Sequence, residues 1–106
     1  MMVIKNIFNT RTAKIKKEIF EELLTTKSFT VERIISQGHS SAKEFWYDQD
    51  TNEFVLILQG SAKLRFENGK ILNMKKGDYI LIPAHVKHRV DWTDPKIKTY
   101  WLTIHH

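Results

Sequence analysis

Apolar residues fall along most of this chain in short runs, each closed by residues that favour turns. Thr30–Ser36 holds Val31, Ile34 and Ile35, and Phe45–Tyr47 is wholly aromatic. Glu53–Leu58 reads EFVLIL, apolar on both faces, which suits a strand covered on two sides. Gln59-Gly60-Ser61 is a turn, and Ala62–Glu67 alternates as AKLRFE. Asn68-Gly69 predicts a type I′ hairpin, with Lys70–Met74 as the returning strand. Lys76-Gly77-Asp78 turns the chain into Tyr79–Ile82, and Pro83, which has no N–H to give a ladder, closes that strand. His88–Thr93 ends at Asp94-Pro95, and Ile97–Ile104 is the last strand. About eight short strands with turns every 8–12 residues predict an all-β sandwich or barrel. The spread of apolar positions over every strand favours closure into a barrel or jelly roll.

One segment carries a different period. In Lys16–Leu24, the residues Ile19, Phe20, Leu23 and Leu24 fall on one face at helical spacing, with good helix formers between them. Thr25-Thr26-Lys27-Ser28 ends the pattern. The expectation is one short N-terminal helix lying across the outside of the β-structure. Residues 1–106 then form a single domain, with 1–28 as a strand/helix extension and 29–106 as the barrel.

Composition narrows the function classes. No apolar run approaches the ~20 residues of a membrane span, and the N-terminus does not read as a signal peptide. The expected location is cytoplasmic. With no cysteine, any metal must be held by nitrogen and oxygen. The net charge of +5 is thinly spread: residues 1–33 carry seven basic and four acidic side chains, and the only tight cluster is Lys14, Lys16 and Lys17. Nucleic-acid binding calls for a basic stripe interleaved with aromatics, and none is present.

Two stretches hold most of the groups able to do chemistry. In the first, Phe45–Glu53, Glu53 opens the most apolar strand; a carboxylate there faces the interior or the rim, and a buried one needs a cation or several donors. An exposed strand-end glutamate is the ordinary alternative. The second stretch, Ile82–Val90, carries His85 and His88 just after a strand and a proline. Neutral imidazole ligates zinc, iron, nickel and copper, although loop histidines also arise with no role. His39 reads as a solvated loop residue, and His105 and His106 are either native or a tag remnant and are set aside. Trp46, Tyr47, Gln49 and Trp92 are candidates for lining a ligand pocket.

Two motifs in these stretches resemble those of the cupin superfamily. Glu53 through Gly60 fits a glutamate, six residues and a glycine. Gly77 through Pro83 to His88 fits the second motif, except that His85 stands where glycine is usual. The resemblance covers residues 30–104 and implies a jelly-roll barrel with one metal inside, and a homodimer. By position, Glu53 and His88 look like two of the ligands. The paired histidines usual in the first motif are missing; the matching places are Trp46 and Asp48, or Tyr47 and Gln49. Asp48 and His85 are the candidates to complete a set of two nitrogens and two oxygens around zinc, iron, nickel, manganese or copper. His85 pays a strain cost if its position needs φ > 0. The resemblance implies a metalloenzyme (oxygenase, isomerase or lyase) acting on a small metabolite, with His85 and Tyr47 as acid–base candidates. The alternatives are a non-catalytic module binding or sensing a sugar or organic acid, and a degenerate structural barrel.

Overall fold

The computed structural model of the chain describes residues 2–10 and 12–106. Eight strands carry the fold: β1 (Ile19–Thr25), β2 (Thr30–Ser36), β3 (Glu53–Gln59), β4 (Ser61–Phe66), β5 (Ile71–Lys75), β6 (Tyr79–Ile82), β7 (His88–Thr93) and β8 (Thr99–His105). They form a five-stranded sheet in the order β1-β2-β8-β3-β6, packed on a three-stranded sheet in the order β5-β4-β7. Every pairing is antiparallel. No strand of one sheet pairs with a strand of the other, so the expected closure takes the form of a two-sheet jelly roll. The core between the sheets comes from alternate residues: Val55 and Ile57 of β3, Ala62 and Leu64 of β4, Met74, Ile82 and Trp101.

The expected N-terminal helix is absent, and no helix of any kind occurs among the described residues. No helix there is long and apolar enough to cross a membrane. The segment read as helical is β1, an edge strand paired with β2 from Ile19↔Ile35 to Thr25↔Thr30. The register shifts between Glu22 and Leu24, so Leu23 is an extra residue in a bulge. That bulge explains the misreading. Doublets at 19–20 and 23–24 satisfy a helical period, but a strand with one inserted residue gives the same pattern. Pairing with β2 then overrides the helix propensity of a segment too short to be stable alone.

Two smaller expectations also change. Phe45–Tyr47 is not a strand; Tyr47 makes only an isolated bridge with His88. The Asn68-Gly69 hairpin forms, but Asn68 is not at positive φ, whereas Gly69 is, at 86°. The loop closes through Gly69 N–H to Phe66 O and Phe66 N–H to Lys70 O. A single left-handed glycine after a turn supplies the strand twist that a type I′ turn would otherwise give.

Two irregular segments fasten the sheets. Residues 7–9 run over the outer face of the large sheet: Arg33 donates to Ile7 O and Asn9 O, Tyr100 donates to Phe8 O, and the Phe8 and Tyr100 rings meet edge-on at 5.2 Å. The loop 37–52 joins β2 to β3 within the large sheet and on the way crosses over to the small sheet. It bonds β7 through Ser41 N–H to Val90 O and Tyr47 N–H to His88 O, and it meets the chain end through paired bonds between Asn52 and His106.

Candidate functional site

Strand alternation sends Glu53, Val55 and Ile57 inward from β3, and Trp101, Thr103 and His105 inward from β8. These side chains, with Glu32 of β2, Tyr47 and Gln49 of the crossing loop and His88 of β7, surround a cavity of about 70 Å³ between the sheets. That is room for a few water molecules or a hydrated ion, well below the ~300 Å³ of an ordinary metabolite pocket.

Glu53 and His88 meet at its wall. His88 Nε2 lies 3.1 Å from Glu53 Oε1, and both side chains are at most 10% exposed. The other ring nitrogen, Nδ1, lies 2.8 Å from the Val86 carbonyl, which can only accept, so Nδ1 carries a proton. In a neutral ring, Nε2 would then present a lone pair to a carboxylate oxygen. Two acceptors at this distance need a cation between them, either a proton or a metal ion. With a proton there, the pair is an imidazolium–carboxylate. Burial alone would lower the His88 pKa, but the hydrogen bonds to Glu53 and Val86 and the Glu53 charge outweigh it, and the net shift is upward. Tyr47 stacks on the imidazole, with ring centroids 5.4 Å apart. Burial, and then the charges of Glu18, Glu53 and Glu32, raise the Tyr47 pKa.

Further polar groups face the same space. Gln49 Oε1 and Thr103 Oγ1 are buried with no hydrogen-bond partner within the protein. His105 Nε2 lies 3.8 Å from Glu53 Oε2 and 4.0 Å from Glu32 Oε1. Burial raises the Glu32 pKa, and nearby Glu53 and Glu22 add to the rise, against the pull of His105 and of the neighbouring Thr103 hydroxyl. Glu18 accepts from the Ser36 hydroxyl, which in turn accepts from the Trp101 indole.

The structure divides the residues singled out from the sequence. Glu53, His88, Tyr47 and Gln49 come together in the cavity. Asp48 and His85 do not join them. They pair with each other on the rim, Nδ1 to Oδ1 at 2.8 Å, with Asp50 at 3.5 Å from the other ring nitrogen. Alternation is the reason: with Tyr47 and Gln49 facing in, Asp48 between them faces out. His85 sits in the turn closed by Val86 N–H to Pro83 O, at φ 64°. Trp46 lies against Arg89 and Trp92 against Lys63, neither in the cavity wall. His39 is half-buried; its Nδ1 accepts from Gln37 N–H, so its Nε2 donates to Lys16 O and holds the N-terminal segment down. Among the described residues, no three His, Asp or Glu side chains are arranged as a metal-ligand set.

Sequence reasoning missed Glu18, Glu32, Thr103 and His105. Period-two alternation could have found His105, which follows Trp101 and Thr103 on one strand face and is Glu53's cross-strand partner. Glu18 and Glu32 depend on the pairing of β1 with β2, which a helical reading hides.

A double-sheet jelly roll with a carboxylate and an imidazole facing each other across its interior is the architecture of the cupins. The chain belongs to that family: the model described as Cupin domain matches residues 32–105. A candidate mannose-6-phosphate isomerase from Ralstonia eutropha JMP134 is 39% identical, with 98% of this chain and 97% of that one covered and a TM-score of 0.92. A cupin superfamily protein from Desulfitobacterium hafniense DCB-2 shares the fold at 20% identity, with 89% and 81% covered and a TM-score of 0.73. The EutQ protein of Clostridium difficile does so at 13% identity, with 84% and 67% covered and a TM-score of 0.69. Among curated proteins none matches.

Proposed function

We propose that this protein is a metal-binding cupin acting on a small metabolite, with one divalent ion held between Glu53 and His88. The supporting observation is the fixed tautomer: Val86 O claims the Nδ1 proton and leaves Nε2 directed at a buried carboxylate 3.1 Å away. This is how metal-binding histidines are commonly oriented, with the second nitrogen donating to a carbonyl. The two orphaned oxygens, Gln49 Oε1 and Thr103 Oγ1, fit the same ion or its bound ligand, and His105 is the nearest further nitrogen. A nitrogen and oxygen donor set of this kind suits zinc, iron, nickel, manganese or copper. The ion would supply Lewis acidity. The chain itself provides a dry apolar wall, the Tyr47 phenol as an acid–base candidate and Gln49 as an orienting acceptor. The other acid–base candidate, His85, stands on the rim, where it can meet a ligand only at the mouth. The name of the Ralstonia relative supplies one phosphorylated sugar, mannose 6-phosphate, to be tried as a ligand of this chain.

Metal analysis of protein purified without chelator, followed by titration calorimetry on stripped protein, tests the reading. Near-stoichiometric metal in the wild type and at least a tenfold loss of affinity in both Glu53→Gln and His88→Gln are expected, since each removes a donor. Wild-type protein that takes up none of the five metals would refute it.

One observation favours a non-catalytic binding role: two strong donors converge, but no third joins them. Under that reading, a ligand stabilises stripped and metallated protein equally in a thermal-shift assay.

We propose in addition that the protein pairs with a second copy through the large sheet. Its outward residues form an apolar row crossing all five strands: Leu24↔Val31↔Ile104↔Phe54↔Leu81. Tyr79 and Leu81, more than 60% exposed, end the uncovered part. A face whose rows run across the whole sheet can meet its own copy about a two-fold axis. Light scattering should give twice the chain mass for the wild type and the monomer mass for Leu81→Asp; a wild-type monomer at about 100 μM would overturn the pairing.

A further inference from the structure

The chain carries a net charge of +5, yet among the described residues no lysine or arginine lines the cavity. Three carboxylates do: Glu18, Glu32 and Glu53. Glu53 shares its cation with His88, so Glu18 and Glu32 remain, and among the described residues His105, 4.0 Å from Glu32, is the other basic group in the wall. Thr103 is 1% exposed, and its hydroxyl stands close to Glu32 without meeting any partner in hydrogen-bond geometry; Gln49 presents an orphaned carbonyl oxygen, which can only accept. Outside, Asp48 and Asp50 flank Gln49 at the rim, with His85 between them. The global excess of positive charge is therefore reversed at this one place, and the unmet polar groups call for a donor.

We infer that the cavity selects a small ammonium-bearing ligand and rejects phosphate-bearing ones. An ammonium group brings three donors and a positive charge, which matches an orphaned carbonyl, an orphaned hydroxyl and a spare carboxylate. The aromatic faces of Tyr47 and Trp101 suit its alkyl body and attract the cation. A phosphate dianion would enter between carboxylates, with His88 already paired to Glu53 and His105 lying against Glu32 and Glu53. This inference concerns the same cavity as the metal proposal but rests on the charge of its wall, so each can fail alone.

The test uses the full-length protein after chelator treatment, so that metal plays no part. Ethylammonium, ethanol and acetate form a series of similar size with charges of +1, 0 and −1; mannose 6-phosphate is the fourth probe. Binding is followed by thermal shift at matched ionic strength and by the amide and Trp101 indole resonances. Ethylammonium should bind at least about tenfold more tightly than acetate and move the Thr103 and Trp101 signals. In Glu32→Gln that preference should fall about fivefold or more, and Glu18→Gln serves if Glu32→Gln does not fold. Acetate or mannose 6-phosphate binding as well as ethylammonium would overturn the inference. So would the absence of any ethylammonium-dependent shift at Thr103 and Trp101 up to about 100 mM.

Discussion

Replacing Glu53 by glutamine tests the hydrogen-bond logic of the site without relying on metal. In chelated wild-type protein, His88 is raised in pKa and its imidazolium sits against a carboxylate, both side chains at most 10% exposed. A raised folded pKa contributes stability that is fully present below the unfolded value, near 6.5, and is lost as pH rises through the folded value. In Glu53→Gln the outcome depends on protonation. Below about pH 6 the buried imidazolium faces an amide instead of an anion, and breaking a buried pair in this way costs about 3 kcal/mol. Well above the folded value the ring is neutral, with Nδ1 still donating to Val86 O and Nε2 free to accept from the new amide. The loss then falls to about 1 kcal/mol, the worth of one exchanged hydrogen bond. For a domain of this size these figures correspond to Tm drops of roughly 12–24 °C at the lower pH and 4–8 °C at the higher. Differential scanning calorimetry at both pH values, in chelator, reads the difference directly. A loss that is equal at the two pH values, or larger at the higher, would refute the assigned tautomer and with it the argument for a shared cation.

Gly60→Ala should destabilise by about 3 kcal/mol or more, because Gly60 has φ 92° and an added Cβ would fall 2.6 Å from the Thr99 backbone; urea unfolding checks it, and a loss below about 1 kcal/mol would contradict the packing at this turn. His85→Gly should leave stability unchanged or raise it by up to about 1 kcal/mol, since it relieves a left-handed backbone at the cost of an exposed ion pair; a loss above about 2 kcal/mol in the same assay would mean that the rim pair with Asp48 contributes more than exposed pairs do.

The readable parts of this chain were those where local pattern and tertiary role coincide. EFVLIL is apolar on both faces: Val55 and Ile57 enter the core between the sheets, and the half-buried Phe54 joins the apolar row on the outer face of the large sheet. The Glu53 to Gly60 spacing holds because one end of that strand supplies the carboxylate and the other a turn with no room for a side chain. The facing of Glu53 and His88 was suggested by resemblance, not by pattern; nothing local tells a strand-end glutamate which way to point. The N-terminal segment misled because a bulged strand and a helical turn place leucine doublets alike. The resemblance grouped Asp48 and His85 with Glu53 by their motif positions, whereas a bridge at Tyr47 fixes the parity of the loop and turns Asp48 outward. His105 was set aside as a possible tag residue, although its strand parity placed it inside.

The two sheets share no ladder, and this has a consequence for how large a guest the interior can take. Hydrogen-bonded strands within each sheet can stay intact while the layers tilt apart at the cavity end, as a hinged case opens. The clasp is the crossing loop, whose backbone bonds to β7 are made at Ser41 and Tyr47. Sub-global opening there would release those amides to deuterium well before the amides of β3 and β8. A guest exceeding 70 Å³ would find its doorway along this seam.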